Sequence, residues 1–240
     1  MEIKELIILA GGLGTRLRQT VPDLPKSMAL INGRPFIEYV IRYFKIQGIE
    51  KFIFALGYKH GEFEDFLQTV LSPREYILSV EDEPLGTGGA VTLALSNATA
   101  DNVFVTNGDT LFTADLPSFA SFHLEHKASC SLSLKPMKDI SRFGTVTIDQ
   151  NSCITQFKEK QFYTSGLINA GLYALNVQEF TNRSFPDKFS FEKDYLEKYY
   201  GERKFFGLPS DSYFIDIGIP EDYFRAQQEF QNLQLLKWLI

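Results

Sequence analysis

Hydrophobic and polar positions in the first half of the chain alternate between strand-like and helix-like patterns. Continuous apolar runs such as Lys4–Ala10 and Lys51–Leu56 are typical of strands that are buried on both faces of a sheet. Between these runs, apolar side chains recur at helical spacing, as in Pro35–Gln47 and Glu62–Leu71. The alternation continues through the predicted strand Tyr76–Val80, the helix Thr87–Ser96 and the strand Asn102–Thr106. Repeated strand–helix units predict a mostly parallel, doubly wound sheet with helices on both faces.

The second half has a different pattern, with strand-like runs that follow one another and few helices between them. We predict strands at Ser129–Leu134, Gly144–Ile148 and Leu167–Leu175, and helices at Phe191–Tyr199 and Glu221–Trp238. The fold class is therefore α/β: a Rossmann-like mixed, mostly parallel sheet flanked by helices, with an antiparallel-flavoured second half. No linker, internal repeat or low-complexity tract interrupts the sequence, so we predict a single domain over residues 1–240, with parts at about 1–127 and about 128–240.

Composition and charge exclude several classes of protein. The chain has 240 residues, 24 Lys plus Arg, 30 Asp plus Glu and a formal charge of −6, which argues against a nucleic-acid-binding protein. No apolar stretch is long enough for a membrane helix, and the N-terminus lacks a secretory pattern, so we expect no membrane partner. Cys130 and Cys153 are isolated thiols, as expected in a reducing compartment. These features predict a cytoplasmic enzyme or binding protein.

A glycine-rich turn follows the first predicted strand directly, in Ala10–Leu17 (AGGLGTRL). Glycines at such a turn let backbone N–H groups approach a phosphate closely, because no Cβ intervenes. The dinucleotide fingerprint needs a glycine at the position of Leu17, and the ATPase loop needs Gly-Lys-Ser/Thr, whereas Lys26 follows Pro25. The cations Arg16 and Lys26 nevertheless favour a polyphosphate site over a purely structural turn.

Two aspartates come at the ends of apolar runs. Asp109 follows the predicted strand Asn102–Thr106, and Asp216 ends the run Tyr213–Ile215. Ligands of parallel α/β sheets gather at the carboxyl ends of the strands, which places Asp109 at the same edge as the glycine turn. A carboxylate facing a triphosphate repels it unless a cation lies between them, so the two aspartates predict a Mg²⁺ site.

Taken together, the motifs resemble those of the sugar-1-phosphate nucleotidyltransferases, which make nucleotide sugars. The matching segments span Leu9 to Tyr223 and are GGLGTRL, PKSM, LGTGGA at Leu85–Ala90, NGD at Asn107–Asp109, Phe143-Gly144, Glu159-Lys160, NAG at Asn169–Gly171 and DIGIPEDY at Asp216–Tyr223. Ser27 departs from the family, which usually has proline there. The resemblance implies a nucleotide-binding part at about 1–127 and a sugar-binding part at about 128–240.

The resemblance also implies roles for individual residues. The catalytic residues would be Arg16, Lys26 and Asp109, with Asp109 and Asp216 holding Mg²⁺. The nucleotide would be bound by Leu9, Ala10, Gly11, Gly12, Gly14, Thr15, Glu81, Gly86, Thr87 and Asp109. The sugar 1-phosphate would be bound by Gly144, Glu159, Lys160, Asn169 and Gly171. The attacking group would be the sugar phosphate itself, so catalysis would consist of charge neutralisation and alignment.

The base would be recognised by Glu81, five residues before Gly86, where related families often read the base edge. A carboxylate accepts two hydrogen bonds, which suits N1–H and the exocyclic amine of guanine, whereas uracil and thymine offer one donor. GTP is therefore the favoured nucleotide, with Glu83 or a backbone group as the alternative reader.

For the sugar, the segments VEDEPLGTGGA, INAGLYALN and FIDIGIPEDY are most similar to D-glycero-α-D-manno-heptose 1-phosphate guanylyltransferases. Mannose 1-phosphate guanylyltransferase and N-acetylmuramate 1-phosphate uridylyltransferase are the alternatives within the family. From other classes, we considered a non-catalytic nucleotide-sugar sensor and a nicotinamide-dependent oxidoreductase. The expected partners are GTP and a sugar 1-phosphate, with a homodimer as an option and no nucleic acid or membrane.

Overall fold

The computed structural model of the chain describes residues 3–12, 17, 20–21, 24–57, 60–138, 140, 144–158 and 165–231. Within these ranges, no helix is both long and apolar enough to cross a membrane. In chain order, the described strands are β1 (Glu5–Leu9), β2 (Leu30–Ile31), β3 (Arg34–Pro35), β4 (Lys51–Leu56), β5 (Tyr76–Val80), β6 (Asn102–Asn107), β7 (Thr110–Phe112), β8 (Cys130–Lys138), β9 (Thr145–Ile148), β10 (Ile154–Lys158), β11 (Ser165–Asn176), β12 (Phe205–Pro209) and β13 (Phe214–Asp216). The described α-helices are α1 (Phe36–Ile46), α2 (His60–Val70), α3 (Gly86–Leu95), α4 (Leu116–Glu125), α5 (Val177–Thr181), α6 (Glu197–Tyr199) and α7 (Pro220–Glu229).

A large mixed sheet organises the molecule. Its main path runs in the order β10-β9-β11-β6-β1-β4-β5, and β8 and β12 extend it from β11. In the first half, β1 is parallel to β4 and β6, and β4 is parallel to β5. In the second half, β11 is antiparallel to β6, β8 and β9. The predicted fold class, with its parallel first half and antiparallel-flavoured second half, is confirmed.

The sheet is buried on both faces, which explains the continuous apolar runs of its strands. Successive residues of β1 point to opposite faces: Leu6 and Ile8 pack in one buried cluster with α1, and Ile7 packs in the other with α3. All three side chains are fully buried. Burial on both sides fixes the register of the parallel strands, because a shift by one residue would exchange the two faces.

Helix α4 was not predicted from the sequence. Its N-cap is Asp115, whose carboxylate accepts hydrogen bonds from the N–H and hydroxyl groups of Ser118, and a proline lies in its first turn. The helix buries Phe119 and His123 against the sheet. The imidazole of His123 contacts Ser131 Oγ at 2.9 Å and Asn102 Oδ1 at 3.1 Å, and burial lowers its pKa to about 4. This histidine therefore has a structural role.

Two predicted helices differ from the observed ones. The segment predicted as one helix at Phe191–Tyr199 begins as a π-helix at Phe191–Leu196 and continues as α6. The helix predicted at Glu221–Trp238 begins at Pro220 in the structure, and α7 ends at Glu229. The predicted end lies outside the described residues.

Candidate active site

The carboxyl ends of β1, β4 and β6 meet at one edge of the sheet. In the register of these strands, Leu9 aligns with Ala55 on one side and with Asn107 on the other. The N–H of Gly108 also donates to the carbonyl of Leu9 at 2.9 Å. The turn after β1 and the Asn107–Asp109 segment are therefore neighbours, as the sequence predicts.

The glycines of the first turn have different surroundings. A Cβ on Gly11 would lie 3.0 Å from the backbone nitrogen of Gly57, so this glycine allows the turn to pass close to the end of β4. No described heavy atom lies within 4 Å of the corresponding place on Gly12, whose backbone is exposed. Open space at Gly12 agrees with a backbone that a ligand approaches. The predicted ligands Gly14, Thr15 and Arg16 lie outside the described residues.

Lys26 lies in a single 3₁₀ turn, Lys26–Met28, that follows Pro25. The N–H of Met28 donates to the Pro25 carbonyl at 2.8 Å, which fixes the turn. The lysine side chain is only 12% exposed, and its ammonium contacts Asp109 Oδ2 directly and Asp216 Oδ1 at 3.5 Å. Three of the predicted site residues therefore form one charged cluster, which we call the Lys–Asp–Asp cluster.

The two aspartates are brought together by a small two-stranded ladder, β7–β13. Asp216 pairs with Thr110, the residue after Asp109, and the N–H of Ile217 donates to the Asp109 carbonyl at 3.0 Å. The N–H of Gly218 donates to Asp216 Oδ1 at 2.7 Å and orients that carboxylate. A segment more than a hundred residues away in the sequence thereby completes the site at β6.

The electrostatics of the Lys–Asp–Asp cluster are unbalanced. Burial, and then the negative charge of Asp109, raise the pKa of Asp216, and the Lys26 ammonium opposes them. Within the described part of the chain, one ammonium thus faces two carboxylates. A polyphosphate that binds here needs additional positive charge.

Glu81 follows β5 and turns back on its own loop. Its backbone N–H donates to Leu56 O at 2.8 Å, and its Oε2 accepts from the N–H of Leu85 at 3.1 Å. Each carboxylate oxygen has two acceptor positions, so this contact leaves Glu81 able to bind a base edge. The assignment of Glu81 to the base stays a prediction.

The Leu85–Gly89 turn has a packing role that the sequence did not reveal. Gly86 has a φ of +73°, and a Cβ there would lie 2.6 Å from the carbonyl oxygen of Phe189. A Cβ on Gly88 would overlap the Phe189 ring. The Thr87 hydroxyl donates to Glu192 Oε2 at 2.8 Å. The nucleotide-binding role of Gly86 and Thr87 stays a prediction, and their residue types already have a reason in packing.

The predicted sugar side of the site is built on an irregularity in β11. The β8–β11 register shifts between Asn169 and Tyr173, and Gly171, with a φ of +74°, lies in this bulge. Asn169 Oδ1 accepts from the N–H of Gly171 at 3.1 Å, Asn169 Nδ2 donates to the Tyr173 hydroxyl at 2.8 Å, and Asn169 N contacts Gly144 O at 3.4 Å. Gly144, Asn169 and Gly171 are therefore adjacent. Glu159 and Lys160 lie outside the described residues.

Sequence reasoning missed three residues of the site. Asn107 faces the bulge, since a Cβ on Gly171 would lie 2.7 Å from Asn107 Nδ2. Gly218 makes room for Lys26, and Tyr173 orients Asn169. Asn107 and Gly218 lie in the same sequence motifs as Asp109 and Asp216. Their place in these motifs is the feature of the sequence that could have identified them.

Comparisons with known proteins identify the family of the chain. A model of the nucleotidyl transferase family matches residues 5–232. The chain belongs to this family. It is 47% identical over 228 residues to a D-glycero-alpha-D-manno-heptose 1-phosphate guanylyltransferase from Aneurinibacillus thermoaerophilus, covering 95% of this chain and 99% of that protein. It is 31% identical to a mannose-1-phosphate guanylyltransferase from Mycobacterium tuberculosis, covering 94% of this chain and 64% of that protein.

A solved structure is also similar to this chain. The crystal structure of HddC from Yersinia pseudotuberculosis complexed with GMP-PN superposes with a TM-score of 0.85 at 36% identity, over 95% of this chain and 100% of that chain. The two chains are thus similar in fold over nearly all of this chain and the whole of the other.

Gly218→Ala tests the geometry of the Lys–Asp–Asp cluster. The added Cβ would lie 2.5 Å from Lys26 Nζ and 2.7 Å from Asp216 Oδ1, so the ammonium must move. We expect kcat to fall by about 100-fold, because small displacements at a reacting centre are costly. The melting temperature should change little, because Gly218 does not have a positive φ. The matched control is Gly201→Ala, where no described heavy atom lies within 4 Å of the added methyl group. Equal kcat values for the two variants would show that turnover does not depend on the position of Lys26 in the Lys–Asp–Asp cluster.

Proposed function

We propose that this protein transfers GMP from GTP to D-glycero-α-D-manno-heptose 1-phosphate and releases pyrophosphate. The observation that carries the proposal is the convergence of Lys26, Asp109 and Asp216 beside the glycine-rich turn. The choice of GTP and of the heptose is supported by the guanylyltransferase that is 47% identical over nearly the full length of both chains. The mannose-specific relative is less similar and has about a third of its length outside the match.

The reaction is an in-line displacement at the α-phosphorus of GTP. A phosphate oxygen of the sugar 1-phosphate forms the new P–O bond, and the bond from the α-phosphorus to the bridging oxygen of the β-phosphate breaks, so that pyrophosphate leaves. Both reactants are anions, and bringing them together is the main obstacle. Lys26 supplies positive charge where the α-phosphate and the incoming phosphate meet, and Arg16 would do so at the departing pyrophosphate.

The sugar is oriented by groups on the bulge of β11. Asn169 uses one amide N–H for Tyr173 and one oxygen lone pair for Gly171, which leaves one N–H and one lone pair for a ligand. Both ends of the amide are held by protein groups, so its orientation is set before a sugar binds. Such preorganisation lowers the entropy cost of binding.

A divalent metal fits the donors at the Lys–Asp–Asp cluster. Among the described residues, no group of three or more His, Cys, Asp or Glu side chains could hold a metal ion alone. Two carboxylates beside a polyphosphate are the environment in which Mg²⁺ binds, with phosphate oxygens and waters as its other ligands. We therefore assign Asp109 and Asp216 as the residues that would hold Mg²⁺. When bound, the ion would neutralise phosphate charge and lower the barrier to displacement.

Asp109→Asn tests the metal assignment. The amide keeps the shape of the side chain but loses the negative charge that holds a cation. We expect turnover in Mg²⁺ to fall by about 100-fold or more, and Mn²⁺ binding in the presence of GTP, followed by electron paramagnetic resonance, to weaken in parallel. The control is Asp211→Asn, which changes an aspartate whose side chain is 90% exposed and which pairs with Lys135 outside the cluster. Near-normal turnover and Mn²⁺ binding in Asp109→Asn would remove the metal from these residues.

A pyrophosphate-release assay tests the proposed function and the base reader together. Crossing GTP, ITP, UTP and dTTP with the heptose and mannose 1-phosphates should give the largest kcat/KM for GTP with the heptose. Hydrogen bonds to a charged acceptor contribute about 1.5–3 kcal/mol each, so ITP, which lacks the exocyclic amine, should be used less well than GTP. Best use of UTP or dTTP would contradict the guanylyl assignment, and best use of mannose 1-phosphate would contradict the heptose.

Glu81→Gln is the informative variant in this assay. If the amide oxygen keeps the Leu85 N–H contact, the amide nitrogen faces the base and presents donors to the donors of guanine. The preference for GTP should therefore decrease more than the maximal rate does. Glu83→Gln, at the exposed carboxylate two residues later, is the control. A preference that is lost in Glu83→Gln and kept in Glu81→Gln would make Glu83 the reader.

A further inference from the structure

The short segment Phe189–Glu192, which we call the linking segment, contacts both predicted substrate regions. Its last two residues begin the π-helix Phe191–Leu196, and it lies in the part of the chain that we predict to bind the sugar. None of its residues is among the predicted ligands. Its contacts nevertheless reach the Leu85–Gly89 turn on one side and Tyr173 of β11 on the other.

The contacts with the nucleotide side are hydrogen bonds. The Thr87 hydroxyl donates to Glu192 Oε2 at 2.8 Å and accepts from the N–H of Phe191 at 2.8 Å. The N–H of Gly88 donates to Phe189 O at 3.0 Å, and the N–H of Phe189 donates to Leu85 O at 3.0 Å. These four bonds fix the start of α3 against the linking segment.

The contacts with the sugar side pass through Tyr173. Its ring packs edge-on against Phe191, with centroids 5.1 Å apart, and its hydroxyl accepts from Asn169. Burial, and then the negative charge of Glu192, raise the pKa of the fully buried Tyr173 phenol. Glu192 directly follows Phe191, whose ring contacts Tyr173 and whose N–H donates to Thr87, so the linking segment joins the two sides through these neighbouring residues.

A carboxylate at this position needs an explanation, because partial burial of a charge costs free energy that apolar packing would avoid. Glu192 accepts from Thr87 and, at 3.0 Å, from the hydroxyl of Ser190. Both bonds are charge-assisted and directional, so they fix orientation as well as contact. Orientation is what a substrate-binding turn requires, whereas a purely structural junction needs only close packing.

We propose that Glu192 is a positioning residue that ties the nucleotide-binding turn at Thr87 to Asn169 in the sugar pocket, with the linking segment between them. This inference rests on the proposed function, because it assigns the two ends of the link to GTP and to the sugar 1-phosphate. The link holds both substrates in one alignment for displacement. Losing Glu192 therefore impairs the binding of both.

Steady-state kinetics of Glu192→Ala test the link. We expect KM for GTP and KM for the sugar 1-phosphate each to rise by about tenfold, the equivalent of about 1.4 kcal/mol per substrate. Glu192→Gln keeps an acceptor for Thr87 and should recover most of both values. The matched control is Glu202→Gln, ten residues after Glu192, which removes one of the two hydrogen bonds that the Glu202 carboxylate accepts from Arg183. This control should keep both KM values.

Two further variants separate the contact on the nucleotide side, at Thr87, from the contact on the sugar side, at Tyr173. Thr87→Val removes the hydroxyl and should raise KM for GTP alone, and Tyr173→Phe should raise KM for the sugar 1-phosphate alone. Combining Thr87→Val with Glu192→Ala should raise KM for GTP no further than Glu192→Ala does, since residues in one network are not additive.

The inference is overturned if Glu192→Ala lowers the melting temperature but keeps both KM values, or if the double variant shows additive effects. Failure of the proposed function would be visible in the wild type, as an absence of pyrophosphate release. In that case, equilibrium binding of GTP to the wild type and to Glu192→Ala still tests whether Glu192 supports nucleotide binding through Thr87. Equal affinities of the two proteins for GTP would then reject the link.

Discussion

Two carboxylates at one edge of a sheet repel each other unless a cation lies between them, and in this protein Lys26 is that cation. Its ammonium contacts Asp109 and lies 3.5 Å from Asp216. The rest of the site depends on this contact, because Lys26, Asp109 and Asp216 come from three distant parts of the chain. The ammonium offsets one of the two negative charges and places a positive group where phosphates are expected to meet.

The sheet and the backbone, more than side-chain packing, bring the Lys–Asp–Asp cluster together. The parallel register of β1 and β6 sets Leu9 beside Asn107, and the β7–β13 ladder sets Asp216 beside Thr110. Glycines then allow approaches that a Cβ would prevent, as Gly218 does for Lys26. The residue identities at the site are thus set partly by chemistry and partly by the space that this backbone leaves.

The sequence predicted the parallel half of the fold, and it predicted that Asp109 lies at the same edge of the sheet as the glycine-rich turn. Apolar runs that are buried on both faces are easy to recognise, and ligands of such sheets gather at a known edge, so Asp109 could be placed from β6 alone. The β7–β13 pairing could not be predicted, because it joins two three-residue strands far apart in the chain. The packing role of the Leu85–Gly89 turn was missed for a related reason. Glycines that make room for Phe189 cannot be distinguished in the sequence from glycines that make room for a nucleotide.

We propose that the charge of Lys26 acts on the chemical step of GMP transfer. The most direct measurement is the single-turnover rate of GMP transfer in wild type and in Lys26→Met, with both substrates saturating. We expect this rate to fall by about 100-fold or more in the variant, because a charge that stabilises the transition state is lost. A rate in Lys26→Met that stays within about twofold of the wild type, equivalent to about 0.4 kcal/mol, would contradict it.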